Sequence, residues 1–163
     1  MTEEFSIRSI TVDDVLHVFK LVNHYAGLAQ MLPKSQNQIY QNIRDFHAIV
    51  DRNDRIIGCG ALHVLWGDLA EVRSLAIAEA YQGKGLGSLL VNHLIEDARA
   101  LRVPQVFALT YVPDFFKKMG FRLIDKNLLP HKIWGDCIDC PKFPDCDEIA
   151  LIKDLTENEG ALV

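Results

Sequence analysis

Three strand-forming runs follow one another with almost nothing between them: Asp45 to Val50, Arg55 to Trp66 and Leu69 to Ile77, parted by "DRND" and "WGDL". Such spacing implies an antiparallel meander. The third run leads into "YQGKGLGSLLVNHL", where Gly83, Gly85 and Gly87 fall within five residues and feed an amphipathic segment. A helix N-terminus has unpaired N–H groups and a partial positive charge, and glycines let the backbone approach a phosphate closely. The pattern therefore points to an anion held where a strand hands over to a helix. The alternative is a purely structural turn.

The flanking segments are those of a mixed α/β domain with a central sheet. Phe5 to Ile10 alternates apolar and polar, and Thr11-Val12-Asp13-Asp14 is a helix-start signal. Val15, Val18, Phe19 and Val22 then recur at helical spacing up to Gly27. Beyond the glycine turn, Leu86, Leu89, Leu90, Leu94, Ile95 and Ala98 mark one helical face, followed by the strand "VFALTY". A short helix, Pro113 to Met119, ends at Gly120, and the last strand runs from Glu148 to Lys153.

At 163 residues and 49% hydrophobic content the chain is read as one domain, 1–163. A net charge of -5 leaves no basic footprint for nucleic acid. No apolar run approaches the ~20 residues that span a bilayer, and "MTEEFSIRSI" carries acids where a signal peptide would carry Lys or Arg. The expected location is cytoplasmic, with no membrane partner. Homodimerisation is left open by the sequence.

Two familiar phosphate motifs fail on context. A dinucleotide fingerprint follows the first strand of a βαβ unit, whereas this turn follows the fourth strand of a meander. A Walker loop ends in Gly-Lys-Ser/Thr, whereas Lys84 lies inside Gly83-Lys84-Gly85. The pattern Gln82-x-x-Gly85-x-Gly87, preceded by "EVRSLAIAEAY" and followed by a long helix, resembles the acetyl-CoA-binding motif of the GNAT superfamily of N-acetyltransferases. The closing "FFKKMGF" is similar to that family's F-Y-x-K-x-G-F. The resemblance implies a GNAT (acyl-CoA N-acyltransferase) fold, a mixed and largely antiparallel sheet flanked by helices, with acetyl-CoA as co-substrate. It assigns cofactor contacts to Leu75, Ala76 and Ile77 on the strand, and to Gln82, Gly83, Lys84, Gly85, Leu86, Gly87 and Ser88 in the turn and helix start.

"GCGALHVLWGDLAEVRSLAI", the early "MLPKS" and the later "LLP" resemble the short, stand-alone bacterial N-acetylglutamate synthases. That resemblance implies L-glutamate as acceptor, in the first step of arginine biosynthesis. Another small amine or amino acid is the alternative acceptor. A non-catalytic acyl-CoA-binding module is the alternative from a different class.

An amine acceptor arrives as an ammonium and must lose a proton before it attacks a thioester. Glu71, on the strand before the cofactor motif, stands where the resemblance puts a base; the competing reading is an exposed Glu paired with Arg73. Glu71 and Arg73 share strand parity and face one side unless a bulge intervenes. The Tyr that protonates the leaving thiolate in many relatives is absent, since the pair here is Phe115-Phe116, and Tyr111 lies too far upstream. Thr110 matches a hydroxyl in the glutamate-specific enzymes and is the candidate relay; a thiol with a pKa near 8.5 can also leave with solvent help alone.

The two carboxylates of glutamate need cations. Lys34 in "LPKS" corresponds to a basic position of the resembling enzymes, and Arg73 offers a bidentate fork. A solvated loop lysine is the other reading of Lys34. His63 and Trp66 read as packing residues of the meander, with an acceptor-cleft position the alternative for His63. Cys137, Cys140 and Cys146 in "CIDCPKFPDC" have one C-x₂-C spacing plus a third thiol, with His131, Asp136 and Asp147 close by, and could complete a zinc site. A strong zinc signal has two paired motifs, so inert thiols, or a redox pair, compete with it.

Overall fold

The computed structural model describes residues 4–28, 30, 31, 33–129 and 148–155. In chain order the elements are β1 (Ser6–Ser9), α1 (Val15–Gly27), α2 (Gln36–Gln41), β2 (Phe46–Val50), β3 (Ile56–Trp66), β4 (Leu69–Ile77), α3 (Leu86–Ala100), β5 (Gln105–Thr110), α4 (Pro113–Lys118), β6 (Arg122–Leu123) and β7 (Ile149–Asp154). Seven strands are hydrogen-bonded in the order β1-β2-β3-β4-β5-β7-β6. β1 with β2, β2 with β3, β5 with β7 and β6 with β7 are antiparallel, and β4 with β5 is parallel. This is the mixed, largely antiparallel sheet with flanking helices that the sequence predicts. Among the described residues, no helix is long and apolar enough to cross a membrane.

The chain divides into two units, one of the described residues up to Leu62 with Val72–Asp97, the other of His63–Glu71 with the described residues from Ala98 on. In the first, α1 presents Val15, Val18, Val22 and Tyr25 to a core shared with Ile39, Phe46, Ala48, Val50 and Ala61. Its entry is set by Asp14, which accepts the Thr11 amide at 2.7 Å and is gripped by Arg8. On α3, Leu86, Leu90, Val91, Leu94 and Ile95 are buried. Gly60 on β3 lets that helix come close: a Cβ there would lie 3.1 Å from Leu90 and 3.3 Å from Leu94, tighter than most real contacts.

In the second unit Leu69, Phe107, Leu129, Ala150 and Ile152 form the core, with Leu65, Leu109 and Ile124 against it. Alternation explains the set. Leu69 lies on β4, and Phe107 with Leu109 on β5 and Ala150 with Ile152 on β7 are pairs two apart on one face.

Three expectations are corrected. Leu89 is 46% exposed and Val91 is buried in its place, because at 100° per residue the buried stripe of α3 runs through positions 86, 90, 91, 94, 95 and 98. Trp66 is 63% exposed at the end of β3 rather than buried within the meander, while His63 is half-buried. α2 was not expected; its signal was Ser35-x-x-Gln38, where Ser35 Oγ accepts the Gln38 amide at 3.1 Å and Gln38 Oε1 accepts the Ser35 amide at 2.8 Å.

Candidate active site

The residues expected to hold the cofactor lie in the first unit and run without interruption from the end of β4 into α3. Gly83 and Gly85 adopt φ of +80° and +78°, where an L side chain is strained, and a Cβ on either would meet no protein atom within 4 Å. The space above both glycines is therefore open to ligand atoms. The Gly85 carbonyl accepts the Leu89 amide at 3.1 Å, which leaves the amides of Leu86, Gly87 and Ser88 ahead of the first intrahelical bond. An open cradle with amides at a helix start fits a pyrophosphate. Lys84 and Ser88 border it, the lysine with its ammonium 5.6 Å from the centroid of the Tyr81 ring.

The turn is anchored from behind. The Gln82 side-chain amide donates to the Tyr25 hydroxyl at 2.6 Å and to the Ile77 carbonyl at 3.1 Å, and the Tyr25 hydroxyl donates to the same carbonyl. Burial holds the Tyr25 hydroxyl above its ordinary pKa, so it stays a donor. On the neighbouring residue, His24 Nε2 meets Glu79 Oε1 at 2.8 Å. Leu75 and Ile77 are half-buried and Ala76 is buried at the end of β4.

In the same unit, Lys34 is half-buried and its backbone is clamped by Asn23: Nδ2 donates to the Lys34 carbonyl at 2.8 Å, and Oδ1 accepts the Lys34 amide at 3.2 Å. Arg73 is half-buried on β4, directly before Ser74, which takes a positive φ of 56°. The Cys59 thiol donates to the Ser74 carbonyl at 3.5 Å, a sulfur-length contact. The left-handed residue comes directly after Arg73, inside the strand Leu69–Ile77.

Glu71 and Thr110 belong to the second unit. Glu71 is half-buried and stands opposite Phe107 in the parallel β4–β5 ladder. Thr110 is buried at the end of β5, opposite Ile149, and its Oγ1 accepts the Val112 amide at 2.9 Å. Thr110 lies three positions after Phe107, so the pleat turns the Thr110 side chain to the face opposite that of Phe107 and Glu71. Phe116, at the position where the resemblance leads to the expectation of a Tyr, is buried edge-on between Phe115 and Phe121 at centroid distances of 5.1 and 5.2 Å. It is a core residue here. Cys137, Cys140 and Cys146 lie outside the described residues.

Sequence reasoning missed Asn23, Tyr25 and Ser74. Tyr25 continues the helical spacing of Val15, Val18 and Val22 and so reads as one more core residue, with no sign of what its hydroxyl meets.

Residues 16–121 match the profile described as the acetyltransferase (GNAT) family. An uncharacterized N-acetyltransferase of Chlorobaculum tepidum is 40% identical over 149 residues, 91% of this chain and 96% of that one. The amino-acid acetyltransferase of Mycobacterium tuberculosis is 37% identical over 132 residues, 80% of this chain and 75% of its own. Among solved structures, a Mycobacterium tuberculosis protein in complex with CoA superposes with a TM-score of 0.79 at 28% identity, covering 92% of this chain and 99% of that chain. The N-acetylglutamate synthase of Neisseria gonorrhoeae, complexed with coenzyme A and N-acetyl-glutamate, shares the fold with a TM-score of 0.85 at 24% identity. There the match covers 95% of this chain but 36% of the other. With this breadth of likeness, and with an open glycine cradle at the helix start where the family's motif requires one, the chain belongs to the acetyltransferase (GNAT) family and is an N-acetyltransferase with acetyl-CoA as its acetyl donor.

Proposed function

We propose that the acceptor is L-glutamate and that the chain is an N-acetylglutamate synthase, acting in the first step of arginine biosynthesis. The observation that carries the acceptor class is the 37% identity with an amino-acid acetyltransferase over 80% of the chain. Glutamate itself is favoured by the "MLPKS" and "GCGALHVLWGDLAEVRSLAI" stretches and by two half-buried cations, Lys34 and Arg73, for its two carboxylates. Burying a carboxylate without a cation costs several kcal/mol.

Acetyl-CoA supplies an activated acetyl thioester. In this reading the amides from Gly83 to Ser88 bind the pyrophosphate, and the end of β4 carries the pantetheine arm. Glu71 takes one proton from the ammonium, freeing the lone pair that attacks the carbonyl carbon as the C–S bond breaks. The nitrogen sheds its second proton to water, and the departing sulfur gains one from water, either relayed by the Thr110 hydroxyl or directly. Thr110 accepts from Val112, which leaves its own hydrogen to donate. Base and donor then work from opposite pleats, one at the nitrogen and one at the sulfur.

The test is thiol release from acetyl-CoA by the purified protein with a panel of amino acids. Glutamate should give the highest kcat/KM, with glutamine, which keeps the α-carboxylate and loses the distal charge, at least tenfold lower. A preference for a cationic amine would overturn glutamate and leave the N-acetyltransferase assignment standing.

A further inference from the structure

Three consecutive residues near the C-terminal end of α1 each bond outside the helix: Asn23 to Lys34, His24 to Glu79, and Tyr25 to Gln82 and Ile77. We propose that this turn of α1 positions both substrate-binding segments, Asn23 setting the acceptor-side Lys34 and Tyr25 setting the pyrophosphate turn through Gln82. The proposal rests on the roles given above to Lys34 and to the glycine turn. Neither Asn23 nor Tyr25 touches a reacting atom; both are positioning residues.

The Asn23 amide does for Lys34 what a neighbouring strand would do. It satisfies both the N–H and the C=O of one residue and is itself fixed by donating to the Phe19 carbonyl at 2.8 Å. Only an amide side chain offers a donor and an acceptor in that geometry, and an aspartate would lose the donor. Immediately after Lys34, Ser35 caps α2. The Lys34 main chain is thus held on one side by α1 and on the other by a helix cap.

Tyr25 addresses a different need. A turn with two left-handed glycines has the backbone freedom to wrap a pyrophosphate, and the same freedom costs entropy when the turn is ordered. Gln82 directly precedes that turn, and its side chain is drawn into a triangle with the buried Tyr25 hydroxyl and the Ile77 carbonyl. The entry to the glycine turn is therefore set before any ligand arrives, which lowers the ordering cost of binding. Asn23 and Tyr25 lie about 200° apart around the helix, so one short turn reaches two segments in different directions.

Steady-state kinetics of the full chain with Tyr25→Phe, Asn23→Ala and Lys34→Ala tests this, using as acceptor the amino acid the wild type prefers. The donors are acetyl-CoA and acetyl-pantetheine, which lacks the pyrophosphate. Tyr25→Phe should raise the acetyl-CoA KM about 10-fold, the scale of one lost buried hydrogen bond, with the acceptor KM and the acetyl-pantetheine kcat/KM within about twofold of wild type. Asn23→Ala should raise the acceptor KM by about 5- to 10-fold at constant acetyl-CoA KM, and should add nothing in a Lys34→Ala background. Equal losses with both donors would overturn the Tyr25 role, and full additivity with Lys34→Ala would overturn the Asn23 role. If Lys34→Ala leaves the acceptor KM unchanged, the acceptor reading of Lys34 fails and the Asn23 role falls with it, while the Tyr25 arm is decided on its own data. Should Tyr25→Phe not fold by circular dichroism, Tyr25→Leu, which also lacks the hydroxyl, takes its place with the same two donors.

Discussion

The Thr110 hydroxyl oxygen accepts the Val112 amide hydrogen at 2.9 Å, closing a small turn where β5 gives way to α4. That geometry ties the orientation of the hydroxyl to the backbone and aims its remaining hydrogen away from Val112. If this hydrogen assists the departing sulfur, Thr110→Ser should keep kcat within about threefold, while the isosteric Thr110→Val should lower it about 10-fold. The effect is modest because a thiolate leaves readily without help. Equal kcat for Val and wild type, measured with acetyl-CoA saturating, would remove Thr110 from the reaction.

Gly85 joins a positive φ to open space. Gly85→Ala should weaken CoA binding by a few-fold through backbone strain of about 1 kcal/mol. Gly85→Asp adds a negative charge to the phosphate cradle and should weaken it at least 10-fold further. Titration calorimetry of both variants, with circular dichroism to confirm folding, checks the order. Equal affinities would mean that no phosphate lies over this glycine.

Glu71→Gln keeps the shape of the side chain and removes the carboxylate proposed as the base. It should lower kcat by ~10²-fold or more with little change in the acetyl-CoA KM. Near-wild-type rates across pH would leave Glu71 with a structural role alone.

His47 on β2 is 8% exposed, and among the described residues its buried Nδ1 has no hydrogen-bond partner. Its ring meets that of His93 on α3 edge-on at 4.9 Å. Desolvation first, and then the His93 charge, push the His47 pKa below its ordinary value, with Asp97 and Asp45 pulling the other way. The unfolded chain therefore binds this proton more tightly than the folded one. Stability linked to His47 is complete above the unfolded pKa of about 6.5 and is lost as pH falls below it. Urea midpoints of the wild type should decline between about pH 7 and pH 5, and His47→Leu should flatten that decline without loss of stability at pH 7. A parallel pH profile for the variant would show that the titration lies elsewhere.

How much of this was legible depended on whether a feature is local. β4 appears with the predicted bounds, Leu69–Ile77, because a turn at Gly67-Asp68 and a helical turn from Glu79 bracket a run of strand formers. The glycine cradle was legible for the same reason: few residues besides glycine tolerate φ near +80°, so the conformation is written in the residue type. Ser74 takes a left-handed φ without being glycine, and nothing in "EVRSLAI" announces it. The Tyr25–Gln82 bond spans 57 residues, and its existence depends on where α1 packs rather than on either neighbourhood. Leu89 was misread on the limits of periodicity, since a leucine at the border of a helical stripe can fall on either side of it.

The contact between Cys59 and Ser74 carries a practical consequence for thiol chemistry. Full burial pushes the Cys59 thiol up to about 12, so it stays protonated and shielded while the protein is folded. The chain has four cysteines, and reagents that need an exposed thiolate will pass over this one. Any thiol titrated on the folded protein therefore belongs to Cys137, Cys140 or Cys146. A titre that climbs towards three when a chelator is added would reveal metal-held sulfur in the C-terminal stretch, with Cys59 serving as the built-in silent control until denaturant brings the count to four.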